Sequence, residues 1–135
     1  MQATLAPGLV GTRTVTIDRP RTIDFLGESL RVYATPELVR DFEITCRELL
    51  LKHCDANEDS VGTGISISHG GASLLGMKVE FRVEVAAVTG RLVKFALTAR
   101  DDVEVISTGE HTRAVVDVEK LRAKVAAKAA RAKEA

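Results

Sequence analysis

Residues 77–88 read MKVEFRVEVAAV. Met77, Val79, Phe81, Val83 and Val85 fill one set of alternate positions, and Lys78, Glu80, Arg82 and Glu84 fill the other. A period of two with one apolar and one charged face is the signature of a half-buried antiparallel strand. The pattern extends on both sides. Thr89-Gly90 supplies a turn, Leu92–Arg100 a second strand and Asp101-Asp102 a second turn. Val103–Val118 is then a last long strand region, with Gly109 as a bulge point. Upstream, Val61–His69 (VGTGISISH) and Thr12–Ile17 (TRTVTI) are rich in β-branched residues and read as strands. Asp18–Glu28, with Pro20 and Gly27, reads as a loop or short lid.

One stretch breaks the strand pattern. Thr35-Pro36 opens a helix, with Thr35 as N-cap and Pro36 at the first helical position. The periodicity carries this helix to about His53, and Asp55–Ser60 ends it. Leu38, Phe42, Cys46, Leu49 and His53 share one side, while Arg40, Asp41, Arg47 and Glu48 take the other. The order is therefore strand, long helix, four strands. A meander of long strands must cover one face, and this helix is the only apolar element available to do so. The expected fold class is α+β: a hot-dog fold, an antiparallel sheet wrapped around one central helix. One helix cannot shield both sheet edges, so a homodimer joined edge to edge is expected, with pairing of dimers into a tetramer left open. Residues 1–118 form the hot-dog domain in this reading. Residues 119–135 form a basic, Ala/Lys-rich C-terminal helix.

The composition narrows the function classes. The chain has 135 residues, 45% hydrophobic and 28% charged, with no net charge. That suits one globular domain. Residues 119–135 hold six basic and two acidic side chains, a net +4, which leaves −4 for the remainder. With no Trp and one Tyr, the chain lacks the aromatic platform of a nucleic-acid binder. No apolar run approaches the ~18 residues that span a bilayer, and the first residues carry no secretory signature. A cytoplasmic protein without a membrane or nucleic-acid partner is expected. Cys46 and Cys54 stand eight residues apart, roughly 12 Å along a helix, too far for a disulfide and outside any metal-ligand spacing. No metal site is expected.

Few residues carry chemistry. Glu43 lies at the margin of the buried helix arc, near Val39 and Leu50. Partial desolvation there strengthens a carboxylate as a base, and the plainer alternative is a Glu that reaches solvent at the edge of a packed face. Thr35 starts the same helix, where a threonine ordinarily only caps. His69 ends a strand beside Gly70-Gly71 and has the right titration range for proton transfer; a turn histidine is the alternative. His53, on the apolar helix face, and His111, beside Arg113 on a strand, compete for that role. Gly62 and Gly64 let backbone N–H groups approach a ligand, or mark a bulge. Arg113 suits a phosphate, or solvent. The tail stripe Lys120, Lys124, Lys128 and Arg131 reads first as a solvated helix face.

At this point the residues match a family. The chain resembles the hot-dog thioesterases typified by fluoroacetyl-CoA thioesterase, from about Gly11 to Leu121. The marks are Ala34-Thr35-Pro36 followed by Glu43, Val61-Gly62-Thr63 leading to His69, Gly76, Val88-Thr89-Gly90-Arg91, and Gly109-Glu110-His111-Thr112-Arg113. The resemblance implies an acyl-CoA thioesterase acting on a small or medium acyl group. It implies Thr35, Glu43 and His69 as the catalytic set and Gly62 at the thioester carbonyl, in a dimer with its site at the subunit interface. The only CoA required is that of the substrate. Two departures are visible. The segment Asp24–Leu30 offers only Phe25 where the fluoroacetyl enzyme has an aromatic-bearing lid, and Gly70–Gly76 lacks a proline common there. Two other readings fit the fold: a non-catalytic acyl-CoA binding or sensing module, and an enoyl-thioester hydratase, which would need a helix carboxylate such as Asp41.

Overall fold

The computed structural model describes residues 1–135. Five strands form one antiparallel sheet: β1 (Val10–Thr16), β2 (Glu58–His69), β3 (Lys78–Thr89), β4 (Leu92–Arg100) and β5 (Val105–Asp117). Their spatial order is β1-β3-β4-β5-β2. Helix α1 (Thr35–Leu51) crosses the concave face, and α2 (Val118–Glu134) follows β5. Two short 3₁₀ turns, Arg19–Arg21 and Glu28–Leu30, shape the segment before α1. The hot-dog architecture expected from the alternation of residues 77–88 is present. Val79, Phe81, Val83 and Val85 are buried to within 1% of complete, while Lys78, Glu80 and Arg82 are exposed.

The core lies between α1 and the sheet. Leu38, Phe42, Cys46 and Leu50 are fully buried, and Phe42 meets Phe81 edge to face at 5.0 Å. Each such side chain contributes roughly 1.5–3 kcal/mol by leaving water. The helix rides close to β1. A Cβ added at Gly11 would lie 3.2 Å from Leu49 Cβ, which explains a glycine in that strand. The β3–β4 hairpin closes through Gly90 at φ +60, the left-handed region that two-residue hairpin loops require. No helix is long and apolar enough to cross a membrane.

The structure corrects several expectations. Helix α1 ends at Leu51, and His53 lies beyond it, half-buried, with Nδ1 2.8 Å from Thr4 Oγ1. Its N-cap is Ala34; Thr35 is already helical and its hydroxyl does not cap. Strand β2 begins at Glu58, inside the segment read as a break. Asp41 is not on the solvent face. It is 1% exposed, gripped by Arg21 Nε and Nη2 at 2.9 and 3.1 Å and hydrogen-bonded by the Tyr33 hydroxyl. A wheel drawn on α1 alone misses this, because the covering groups come from the segment before the helix. Gly109 is no bulge: it stays in register with Ile67 and Leu97.

The two sheet edges differ. Strand β1 is 7 residues long, whereas β2 has 12. The stretch Val61–Ser66 of β2 is exposed throughout, and residues 61–69 hold no proline, lysine or carboxylate. Those are the devices by which edge strands normally discourage pairing.

Candidate active site

Two clusters contain Thr35, Glu43, Gly62, His69 and Arg113. The first gathers on the β2 bulge. Register slips between Gly62 and Gly64, so Thr63 is the extra residue and the Gly62 backbone is pushed toward α1. A Cβ built on Gly62 would sit 3.1 Å from Glu43 Oε1, 3.1 Å from His111 Cε1 and 3.6 Å from Arg113 Nη1. A methyl at this position would press on the carboxylate and on the His111 ring. Helix α1 supplies Glu43, and β5 supplies His111 and Arg113 from alternate positions on one strand face.

Arg113 is 4% exposed and firmly held. Its Nε donates to Ser60 Oγ at 2.8 Å and its Nη2 to the Ser60 carbonyl at 2.9 Å. Burial lowers its pKa, and the charge of Glu43 opposes that shift. His111, 1% exposed, places Nδ1 2.7 Å from the Gly64 carbonyl and Nε2 3.1 Å from Arg113 Nη1. Burial lowers its pKa too, against the raising influence of the Gly64 carbonyl. Asp41 is committed to Arg21 and Tyr33, but Glu43 enters none of the chain's salt bridges. Of Asp41 and Glu43, Glu43 is the one without an ion-pair partner in the chain.

The second cluster joins the start of α1 to the end of β2. Thr35 Oγ1 lies 2.8 Å from His69 Nδ1. Tyr33 stands edge-on to the imidazole at 6.2 Å. Nε2 is buried and makes no hydrogen bond. Burial lowers the His69 pKa, and the Gly71 backbone raises it in part. The ring is therefore held neutral at neutral pH. Within the chain the Thr35 hydroxyl contacts His69, its partner in the implied catalytic set, and not Glu43.

The clusters are well separated. Thr35 and Glu43 are eight residues apart on α1, about 12 Å of rise. Gly62 and His69 are seven residues apart on β2, roughly 23 Å. Thus Glu43, Gly62 and Arg113 come together, and Thr35 and His69 come together, but the two groups do not meet inside one chain. The largest cleft, about 430 Å³, lies between β1 and α1 beside Gly11, Thr45, Glu48 and Leu49, and holds neither group. The stripe Lys120, Lys124, Lys128 and Arg131 is exposed on α2. Cys46 is no nucleophile: burial pushes its thiol up to about 12. The sequence reading named His111 only as a rival to His69 for proton transfer, and the structure places it beside Glu43 and Arg113 instead. Its one legible signal was the His-x-Arg spacing opposite paired glycines.

Comparison with known proteins shows the family and the fold. Residues 17–119 match the model of the family described as fluoroacetyl-CoA-specific thioesterase, FlK. The fluoroacetyl-CoA thioesterase of Streptantibioticus cattleyicolor is 34% identical over 106 residues, 78% of this chain and 76% of that protein. A crystal structure of a variant of the fluoroacetyl-CoA-specific thioesterase superposes with a TM-score of 0.86 at 28% identity, covering 94% of this chain and 99% of that one. A thioesterase superfamily member from Thermus thermophilus shares the fold, with a TM-score of 0.90 at 20% identity over 99% and 100% of the two chains.

Proposed function

The chain belongs to the fluoroacetyl-CoA-specific thioesterase family, and from that premise we propose that it hydrolyses a small or medium acyl-CoA to the free acid and CoA, with no cofactor besides the CoA of its substrate. The observation that carries the site assignment is the approach of the Glu43 carboxylate to the Gly62 backbone beside a buried arginine. In this reading the Gly62 amide holds the acyl carbonyl, where negative charge develops as the carbonyl is attacked. Arg113 adds a fixed positive charge nearby. Glu43 deprotonates water or attacks directly, and neutral His69, steadied by Thr35, hydrogen-bonds the departing thiolate. A thiol pKa of roughly 8.5 makes that leaving group undemanding. The solved FlK structures include complexes with acetyl-CoA and with fluoroacetate and CoA, which supports the substrate class. The assay is free-thiol release from a panel running from acetyl- to palmitoyl-CoA with aryl and halogenated members. Turnover of at least one short or medium member is expected. CoA binding with no turnover of any member would favour the binding-module reading instead. The engagement of Asp41 by Arg21 and Tyr33 disfavours the hydratase reading, since that carboxylate is buried and held by structural partners.

The separation of the clusters supports a site shared between two copies. A two-fold axis normal to the sheet pairs β2 with itself in antiparallel fashion. With that axis through Ser66, the Gly62–Thr63 bulge lies opposite the partner subunit's His69, and each dimer closes two complete sites. Val61 and Ile65, 38% and 37% exposed on this edge, would lose that exposure. Complementation tests this. Glu43→Ala and His69→Ala each inactivate the homodimer. Co-expressed, random pairing makes half the dimers hybrids with one intact site of two, so about a quarter of wild-type activity should return. A mixture as inactive as either variant alone would place each whole site in one chain.

A further inference from the structure

We propose that His111 is a positioning residue of this site, locked as the neutral Nδ1–H tautomer between the β2 bulge and Arg113. The inference rests on the thioesterase reading for its kinetic consequence and on hydrogen bonding alone for the tautomer. The Gly64 carbonyl can only accept, so at 2.7 Å it requires the proton on Nδ1. Arg113 Nη1 can only donate, so at 3.1 Å it requires a bare lone pair on Nε2. One tautomer satisfies both contacts, and the imidazolium satisfies neither the donor count nor the charge. The ring lies roughly parallel to Phe95 at 6.4 Å, which leaves it little freedom to turn.

The two bonds have separate effects. The first ties the carbonyl that follows the extra residue Thr63, and so fixes the bulge that presents Gly62. The second, with the Ser60 contacts, completes a three-point hold on the Arg113 guanidinium. The charged groups around the ring are Glu43 from α1 and Arg113 from β5. Asp59 on β2 also acts on Arg113 and is itself paired with Arg47 of α1. Protonating His111 would set two cations and two donors against each other 3.1 Å apart, beside the carboxylate that performs the chemistry.

Long-range ¹H–¹⁵N spectra of the full chain test the tautomer whether or not any thioester is turned over. Nδ1 protonated and Nε2 bare at pH ~6.5, where a free imidazole is half-charged, is the expected pattern. An Nε2–H tautomer or an imidazolium at that pH overturns the inference. Kinetics test the role. His111→Leu should lower kcat/KM roughly 10²-fold, the scale of a small misplacement of catalytic groups. His111→Gln keeps an acceptor for Arg113 and should recover part of the loss. In an Arg113→Ala background His111→Leu should cost less than it does in the wild type, because one of its two effects runs through that arginine. Wild-type kcat/KM in folded His111→Leu, or losses that multiply in the double variant, would refute the role and leave the thioesterase reading standing. An inactive wild-type protein would count against that reading, with the spectra still deciding the tautomer.

Discussion

Glu43→Gln should lower kcat/KM by about 10³-fold, within the 10²–10⁴ range for losing a positioned proton-transfer group. The amide is isosteric, so the packing around Gly62 is kept while the basicity and the charge are lost. The charge matters to the fold as well. Arg113 is buried, and Glu43 is among the groups that favour its charged form. Removing it leaves the guanidinium supported chiefly by Ser60 and His111, so a modest loss of stability should accompany the large loss of activity. Thermal unfolding and thiol-release kinetics on the same preparation separate the two effects. Retention of more than a tenth of wild-type kcat/KM would remove Glu43 from the chemistry. Single turnover of the wild-type enzyme in ¹⁸O-water then tests its two possible roles. Label found in the Glu43 carboxylate indicates a mixed anhydride opened at the Glu43 carbonyl, whereas label confined to the product acid fits a general base or an anhydride opened at the acyl carbonyl.

Local periodicity made the fold legible; non-local contacts hid parts of the site. The alternation of Val79 to Val85 needs only the sheet's inner face to be read correctly. Phe42 and Cys46 need only a helix covering that face. Asp41 was misplaced because its burial depends on Arg21 and Tyr33, 20 and 8 residues away in sequence. The Thr35–His69 contact depends on how far β2 runs past the start of α1, which neither segment encodes alone. His111 was a candidate without an assigned place, because a single histidine on a strand looks the same whether it faces solvent or an arginine. Gly62 was legible as a glycine with a purpose, but that purpose, admitting Glu43, required the bulge to be placed.

Gly109→Ala is the substitution expected to damage the fold most. Gly109 sits in the middle of β5, opposite Ile67 of β2 and Leu97 of β4. A Cβ there would overlap the Ser66 carbonyl oxygen and lie 2.8 Å from Ile67 Cα. Both are backbone atoms of a paired strand, so no side-chain rotation relieves the clash. Relief requires β2 to lift away from β5 two or three residues before His69. Overpacking usually costs 1–3 kcal/mol, and a clash with paired backbone belongs at or above the top of that range, about 3–5 kcal/mol. For a chain of this length that corresponds to a fall in Tm of roughly 10–20 °C. Gly70→Ala is the control: its added Cβ meets nothing within 4 Å, so stability should hold or rise slightly. If Gly109→Ala melted within a few degrees of wild type, the sheet would have to accommodate a methyl at its tightest point by a small shift of β2. Activity then shows where that shift goes. Ser66 and Ile67 lie between Gly62 and His69, on the edge proposed to join two subunits. A folded Gly109→Ala protein should therefore still lose dimer stability and turnover together.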